Sequence, residues 1–294
     1  MSLGRSVLKV GGVPEHFNWP WRRALKVCSS FSWSEYKGGS GAMASDLKSG
    51  ELDVAVMLTE ALVAECGKGA PLKIWGAYTA TPLVWGVHAK KGFQGKPRSF
   101  AVSRFGSGSH LMALVDAQMR GAPLPTDFVV VQSLEGARES LGTGKADAFM
   151  WEKFTTKFLV DSGEWDRIAE VPTPWPCFSV AVRNGIDLSL VNEVLGAVRK
   201  EAETMVHNER DLVADVAREY NQQEVDVAQW IKTVRWCIRP QMPLATVAFV
   251  KDSLTNAGVL SNEKNSDIDV SAMLSTATDG HLTTLDSVGT SLSG

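Results

Sequence analysis

The chain has 294 residues, 44% hydrophobic and 21% charged, an ordinary composition at a length that buries a core without staples. Its formal charge of -3 supplies no basic field for nucleic acid, and no run of about 18 apolar residues suits a membrane span. The cysteines Cys28, Cys66, Cys177 and Cys237 are dispersed, which excludes a disulfide scaffold or zinc ribbon and fits a reducing compartment.

In chain order, Val7–Gly11 reads as a strand. Trp19–Val27 reads as a helix, with Asn18 as N-cap and Pro20 in its first turn. Ser30–Tyr36 alternates as a half-buried strand does. Gly38-Gly39-Ser40-Gly41 then punctuates, before a helix over Ala42–Lys48. Asp53–Leu58 is a buried strand, Glu60–Cys66 a helix, and Leu72–Tyr78 and Leu83–Ala89 are strands. Lys90–Pro97 has the composition of a linker.

The rhythm then restarts. Ser99–Ser103 is a strand, and Phe105–Ser109 is a Gly/Ser turn opening the helix His110–Arg120. Phe128–Gln132, Ala146–Trp151 and Ile168–Val171 are further strands, with helices at Leu134–Leu141 and Phe154–Ser162. Pro172–Pro176 is a stiff link, and Phe178–Arg183 is one more strand. Beyond it the pattern turns helical: Leu188–His207, Asp211–Tyr220, Glu224–Val234 and Pro243–Ala257 all carry a 3.6-residue period. From about Ser275 the chain is Ser, Thr, Gly and Asp, the composition of a disordered tail.

An internal echo organises these segments. Leu47-Lys48-Ser49-Gly50-Glu51-Leu52-Asp53-Val54-Ala55 matches Leu141-Gly142-Thr143-Gly144-Lys145-Ala146-Asp147-Ala148-Phe149. Each reads as a helix, a glycine C-cap, and an Asp at the mouth of an apolar strand. Two lobes of similar make are expected, each an α/β sheet flanked by helices.

This doubled pattern, with Ser103-Arg104-Phe105-Gly106-Ser107-Gly108-Ser109-His110 opening the second half, resembles the type II periplasmic-binding-protein fold. The nearest branch is that of the sulfonate, taurine, nitrate and thiamine-pyrimidine solute-binding proteins. The resemblance runs from about Ser6 to Leu274. It implies two mixed sheets joined by two crossover strands, a ligand cleft between them, and a helical C-terminal third. Lobe 1 is expected over 1–92 plus 177–274, lobe 2 over 93–176, and a disordered tail over 275–294.

Candidate ligand residues follow. Pro14-Glu15-His16 ends the first strand, where open α/β sheets hold ligands. Gly38, Gly39 and Ser40, and Gly106, Ser107, Gly108 and Ser109, lie at helix starts, whose free N–H groups favour anions. No arginine is assigned to either start. Thr59, Thr79 and Thr81 follow strands. Trp151 and Glu152 pair an aromatic face with a carboxylate, which suits an amine or a heterocycle. Trp175 sits in the second link. The Gly/Ser turn fails as a dinucleotide fingerprint, since its third Gly position holds Leu111. The histidines have no metal spacing, so neither metal nor cofactor is expected.

The expected function is closure of two lobes on a compact polar solute: a pyrimidine, an amino-sulfonate, or another small zwitterion or anion. The alternative is an enzyme on the same fold with Glu15 or His16 as acid or base. The partner is a small molecule, with no nucleic acid and no membrane insertion. With no leader in view the expected place is cytoplasmic, or periplasmic or secreted if a leader is removed.

Overall fold

The computed structural model describes residues 7–207, 209–261 and 269–275. Most of the expected tail, 276–294, lies outside them. The first unit runs β1 (Leu8–Gly12), α1 (Trp19–Ala24), β2 (Phe31–Glu35), α2 (Gly39–Ser49), β3 (Val54–Leu58), α3 (Thr59–Gly67) and β4 (Leu72–Thr79). The second runs β5 (Val84–Lys90), β6 (Ser99–Val102), α4 (Gly108–Met119), β7 (Asp127–Val130), α5 (Leu134–Thr143), β8 (Ala148–Glu152), α6 (Lys157–Asp161) and β9 (Trp165–Pro172). The chain then returns through β10 (Phe178–Arg183), α7 (Leu188–His207), α8 (Glu209–Tyr220), α9 (Glu224–Thr233), β11 (Trp236–Pro240) and α10 (Leu244–Asn256).

The two sheets repeat one plan. The first is ordered β11-β4-β10-β3-β1-β2 and the second β7-β6-β8-β5-β9. In each, three parallel strands (β2-β1-β3 and β7-β6-β8) adjoin one antiparallel strand that has just crossed from the other unit, β10 or β5. The structure is therefore an α/β fold of two mixed sheets flanked by helices, joined by crossovers at 80–83 and 173–177. β5 falls in the 1–92 stretch expected for lobe 1 but sits inside the second sheet, so the first crossing comes earlier than the linker-like composition of Lys90–Pro97 suggested.

The sequence echo has a physical basis. Gly50 and Gly144 end α2 and α5 at φ 79° and 72°, a left-handed backbone that glycine adopts without penalty. Asp53 accepts the Lys9 N–H at 2.9 Å, and Asp147 accepts the Arg98 and Ser99 N–H groups at 2.8 and 3.2 Å. In both halves this carboxylate ties the start of one strand to its parallel neighbour. Arg183 on β10 adds a 2.7 Å ion pair to Asp53.

The main core gathers the buried faces of β1, β3, β4 and β10 with Trp21, Tyr78 and the inward sides of α7–α10. It continues through α3 and α10 into Leu111–Val115 of α4. A smaller core around Phe149, Leu159 and Trp165 serves the far side of the second sheet. Two expectations need correction. α2 begins at Gly39, so Gly39, Ser40 and Gly41 form its first turn rather than a preceding loop. β11 interrupts the C-terminal helices as an edge strand on β4, its register broken between Trp236 and Arg239.

Candidate functional site

A narrow cleft with a cavity volume of about 50 Å³ lies between the sheets. Its walls follow from the topology. Val13 and Glu15, Lys37 and Gly38, and Leu58 lie at the carboxyl ends of the parallel strands β1, β2 and β3. Ser103, Arg104, Trp151 and Glu152 lie at those of β6 and β8. Leu83, Trp85 and Phe178 stand where the crossing strands enter their new sheets. Ligands of open α/β sheets collect beyond such strand ends.

Carboxyl groups from the two units face each other here. Glu15 is buried and has no side-chain hydrogen bond among the described residues. Burial, and then the nearby Glu152 carboxylate, push its pKa up to about 8. Glu152 is also buried and also raised, chiefly by desolvation. It keeps partners, accepting the Phe154 and Thr155 N–H groups at 2.9 and 2.7 Å and the Thr155 hydroxyl at 2.9 Å. Burial and the neighbouring carboxylate thus both favour the protonated form of Glu15.

The cationic groups of the cleft lie elsewhere on its walls. α2 and α4 both start without a side-chain cap bond and without an acidic residue in the first turn. The Ser40 hydroxyl accepts the Leu58 N–H at 3.1 Å, and the Ser107 and Ser109 hydroxyls bond each other at 3.1 Å. The Arg104 guanidinium has no hydrogen bond or ion pair among the described residues, and burial lowers its pKa. It lies across the cleft against the glycine face of α2, where a Cβ on Gly41 would stand 2.6 Å from its Nε. Gly108 makes the converse approach: a Cβ there would lie 2.4 Å from Leu58 Cδ1 and 2.7 Å from Trp85 Cη2. The Trp85 indole N–H is buried without a partner among the described residues.

Of the candidate residues, Glu15, Gly38, Gly39, Ser40, Ser107, Gly108, Ser109, Trp151 and Glu152 come together in this cleft. The rest lie off its walls. Thr59 donates to the Pro176 carbonyl at 2.6 Å and meets the Ser179 hydroxyl at 2.7 Å. Thr79 meets Cys177 Sγ at 3.0 Å and accepts the Phe178 N–H at 3.2 Å. Trp175 is buried with its indole N–H on Glu60 at 2.8 Å, so all three brace the crossover instead. Thr81 opens on a separate void beside Trp230.

Gly106 is a turn glycine at φ 78° whose N–H donates to His110 Nδ1. Pro14 and His16 face a second void beyond Glu15, bordered by Lys157, Tyr220 and Asp226. His16 shares a 3.2 Å contact with Gln222, and burial holds its pKa down to about 3, so the ring is neutral. Sequence reasoning missed Arg104, Trp85, Leu58, Lys37, Val13, Ser103, Leu83 and Phe178. Scanning the residues just past every parallel strand finds Arg104, and with it the arginine that the helix starts were expected to lack.

A family model described as Ca3427-like PBP matches residues 87–171. The Candida albicans CA3427 gene product, whose structure is described as a generic periplasmic-binding-protein fold defining a new family, is 27% identical. It superposes at TM-score 0.82 over 88% of this chain and 95% of its own. The alkanesulfonate-binding protein SsuA of Xanthomonas axonopodis pv. citri, bound to MOPS, is similar at TM-score 0.73 and 14% identity over 92% and 98%. A zinc-bound ligand-binding component of an ABC-type import system from Staphylococcus aureus is similar at TM-score 0.67 and 12% identity over 86% and 92%. No curated protein sequence matches. The doubled sheets, the strand-end cleft and these likenesses together give this chain the type II periplasmic-binding-protein fold, which the similar alkanesulfonate-binding protein SsuA shares.

Proposed function

We propose that the protein binds one compact dipolar solute in the interlobe cleft and closes its two lobes upon it. The single observation that carries this reading is the charge arrangement of the cleft. Glu15 and Glu152 face each other from the two units, while Arg104 meets the start of α2, also across the units. A solute with an amine at one end and an anionic group at the other satisfies both. An amino-sulfonate fits this description, in keeping with the sulfonate binding named for the SsuA relative. A protonated heterocycle bearing an anionic group is the other form the same arrangement takes.

A metal ion fits less well. Among the described residues no group of three His, Cys, Asp or Glu side chains is placed to hold one. All four cysteines are free thiols, which suits a reducing compartment. A thermal-shift panel tests the reading. Taurine should raise the melting temperature more than ethanesulfonate, ethylamine or cytosine at equal concentration. A larger shift with either singly charged compound would contradict the dipolar reading.

A further inference from the structure

The segments that follow the second crossover border a groove of their own. It has a volume of about 790 Å³ and lies between α7, the end of α9 and the edge strand β11, with Leu212 of α8 in its floor. None of its lining residues lines the interlobe cleft.

The rim of the groove is basic. Arg199 on α7, Lys232 on α9, Arg235 just before β11 and Arg239 within it set four cations against the single carboxylate of Glu203, on a chain whose formal charge is -3. All four cations are exposed, and none has an ion pair among the described residues. Arg235 is held in place. Its Nη1 donates to the Lys232 and Val234 carbonyls at 3.0 and 2.8 Å, at the carboxyl end of α9, where a cation is favourable. The floor is apolar: Leu212, Val234 and Ile238 are buried there, with Ile231 and Trp236 half-buried beside them.

We infer that this groove is a docking surface for an acidic amphipathic segment of a partner protein, its carboxylates on the four rim cations and its apolar side chains on the floor beside Trp236. Charge complementarity sets the sign of the occupant, and the floor sets its second property. The phosphates of a nucleic acid would meet the rim and leave the floor bare. A second copy of this chain would bring a groove of the same sign, which opposes symmetric pairing. Arginine and tryptophan are the residue types that carry most energy at protein interfaces, and a guanidinium already fixed, as in Arg235, loses little freedom on binding. This surface is apart from the cleft, so the inference holds whatever solute the cleft takes.

The probe is a fluorescein-labelled peptide that repeats Leu-Glu-Glu-Leu, titrated with the full chain and read by anisotropy. Wild type should bind it saturably. Arg239→Glu and Lys232→Glu should each weaken binding at least about tenfold, because each replaces an attraction by a repulsion. Both should melt as wild type does, since neither side chain has an ion pair to lose. The same peptide with lysine in place of glutamate, or alanine in place of leucine, should also bind at least about tenfold more weakly. Absence of saturable binding to wild type, or undiminished affinity in both variants, overturns the inference. Equal binding of the alanine peptide or of single-stranded DNA makes the groove a general polyanion site and overturns it as well.

Discussion

The crossover and the cleft both hold buried polar side chains, and they differ in how many of them find partners. At the crossover Thr59, Thr79, Thr173 and Ser179 all have hydrogen-bond partners, and Trp175 donates to Glu60. In the cleft Glu15, Arg104 and the Trp85 N–H have none among the described residues. A buried polar group without a partner costs about 1–3 kcal/mol. The crossover meets most of its polar groups and leaves Glu60 Oε1 unpartnered among the described residues, so it is a well-braced joint. The cleft bears it at the Trp85 N–H, where a bound solute would supply a partner.

Substitutions separate the two regions. The largest expected effect is on stability at the joint. Trp175→Ala removes a buried aromatic ring and should cost about 3–5 kcal/mol in urea unfolding. An undiminished unfolding free energy would mean that the crossover is not braced as described. Next comes binding at the cleft. Arg104→Ala removes a charge-assisted contact of about 1.5–3 kcal/mol, which is roughly a tenfold to hundredfold loss of taurine affinity by calorimetry. Its unfolding midpoint should hold or rise, because among the described residues the half-buried side chain has no partner to lose.

The pH dependence sharpens the contrast further. Glu15 and Glu60 are raised from 4.5 to about 8 and about 7, chiefly by burial. The folded state therefore keeps protons that the unfolded state has released, and stability falls as pH rises from 4.5 through those values. His16 and His88 are lowered from 6.5 to about 3 and about 4, also chiefly by burial. Their effect has the opposite sign, with stability gained as pH rises to 6.5. Above 6.5 only the carboxyls still act, so the melting temperature of ligand-free protein should decline from pH 6.5 to 8. Glu15→Gln should flatten that decline. An unaltered slope would place the ionisation elsewhere. Smallest is Thr79→Val, which deletes crossover hydrogen bonds for about 1 kcal/mol and should leave taurine affinity unchanged.

Much of the fold was legible because its repeat is written in residues with a backbone task. Gly50 and Gly144 cap helices at positive φ, and Asp53 and Asp147 bind strand N–H groups, so the echo reports geometry directly. β11 left little trace: five residues including Pro240, at a sheet edge and between helices. The helix-start residues of the cleft were readable for the same local reason as the caps. The threonines and Trp175 were not, because their partners lie from about a hundred residues away in the chain, as Pro176 does from Thr59. Arg104 was visible in the motif, but its role depends on meeting Gly41 from another sheet. Such contacts exist only after the two units are brought together.

Calorimetric titration of taurine into wild type, Arg104→Ala and Glu15→Gln tests the central claim most directly. The account predicts one saturable site in wild type, weakened at least tenfold by either substitution, with ethanesulfonate and ethylamine each binding more weakly than taurine. Equal affinity in all three proteins, or tighter binding of either half-molecule to wild type, would contradict it.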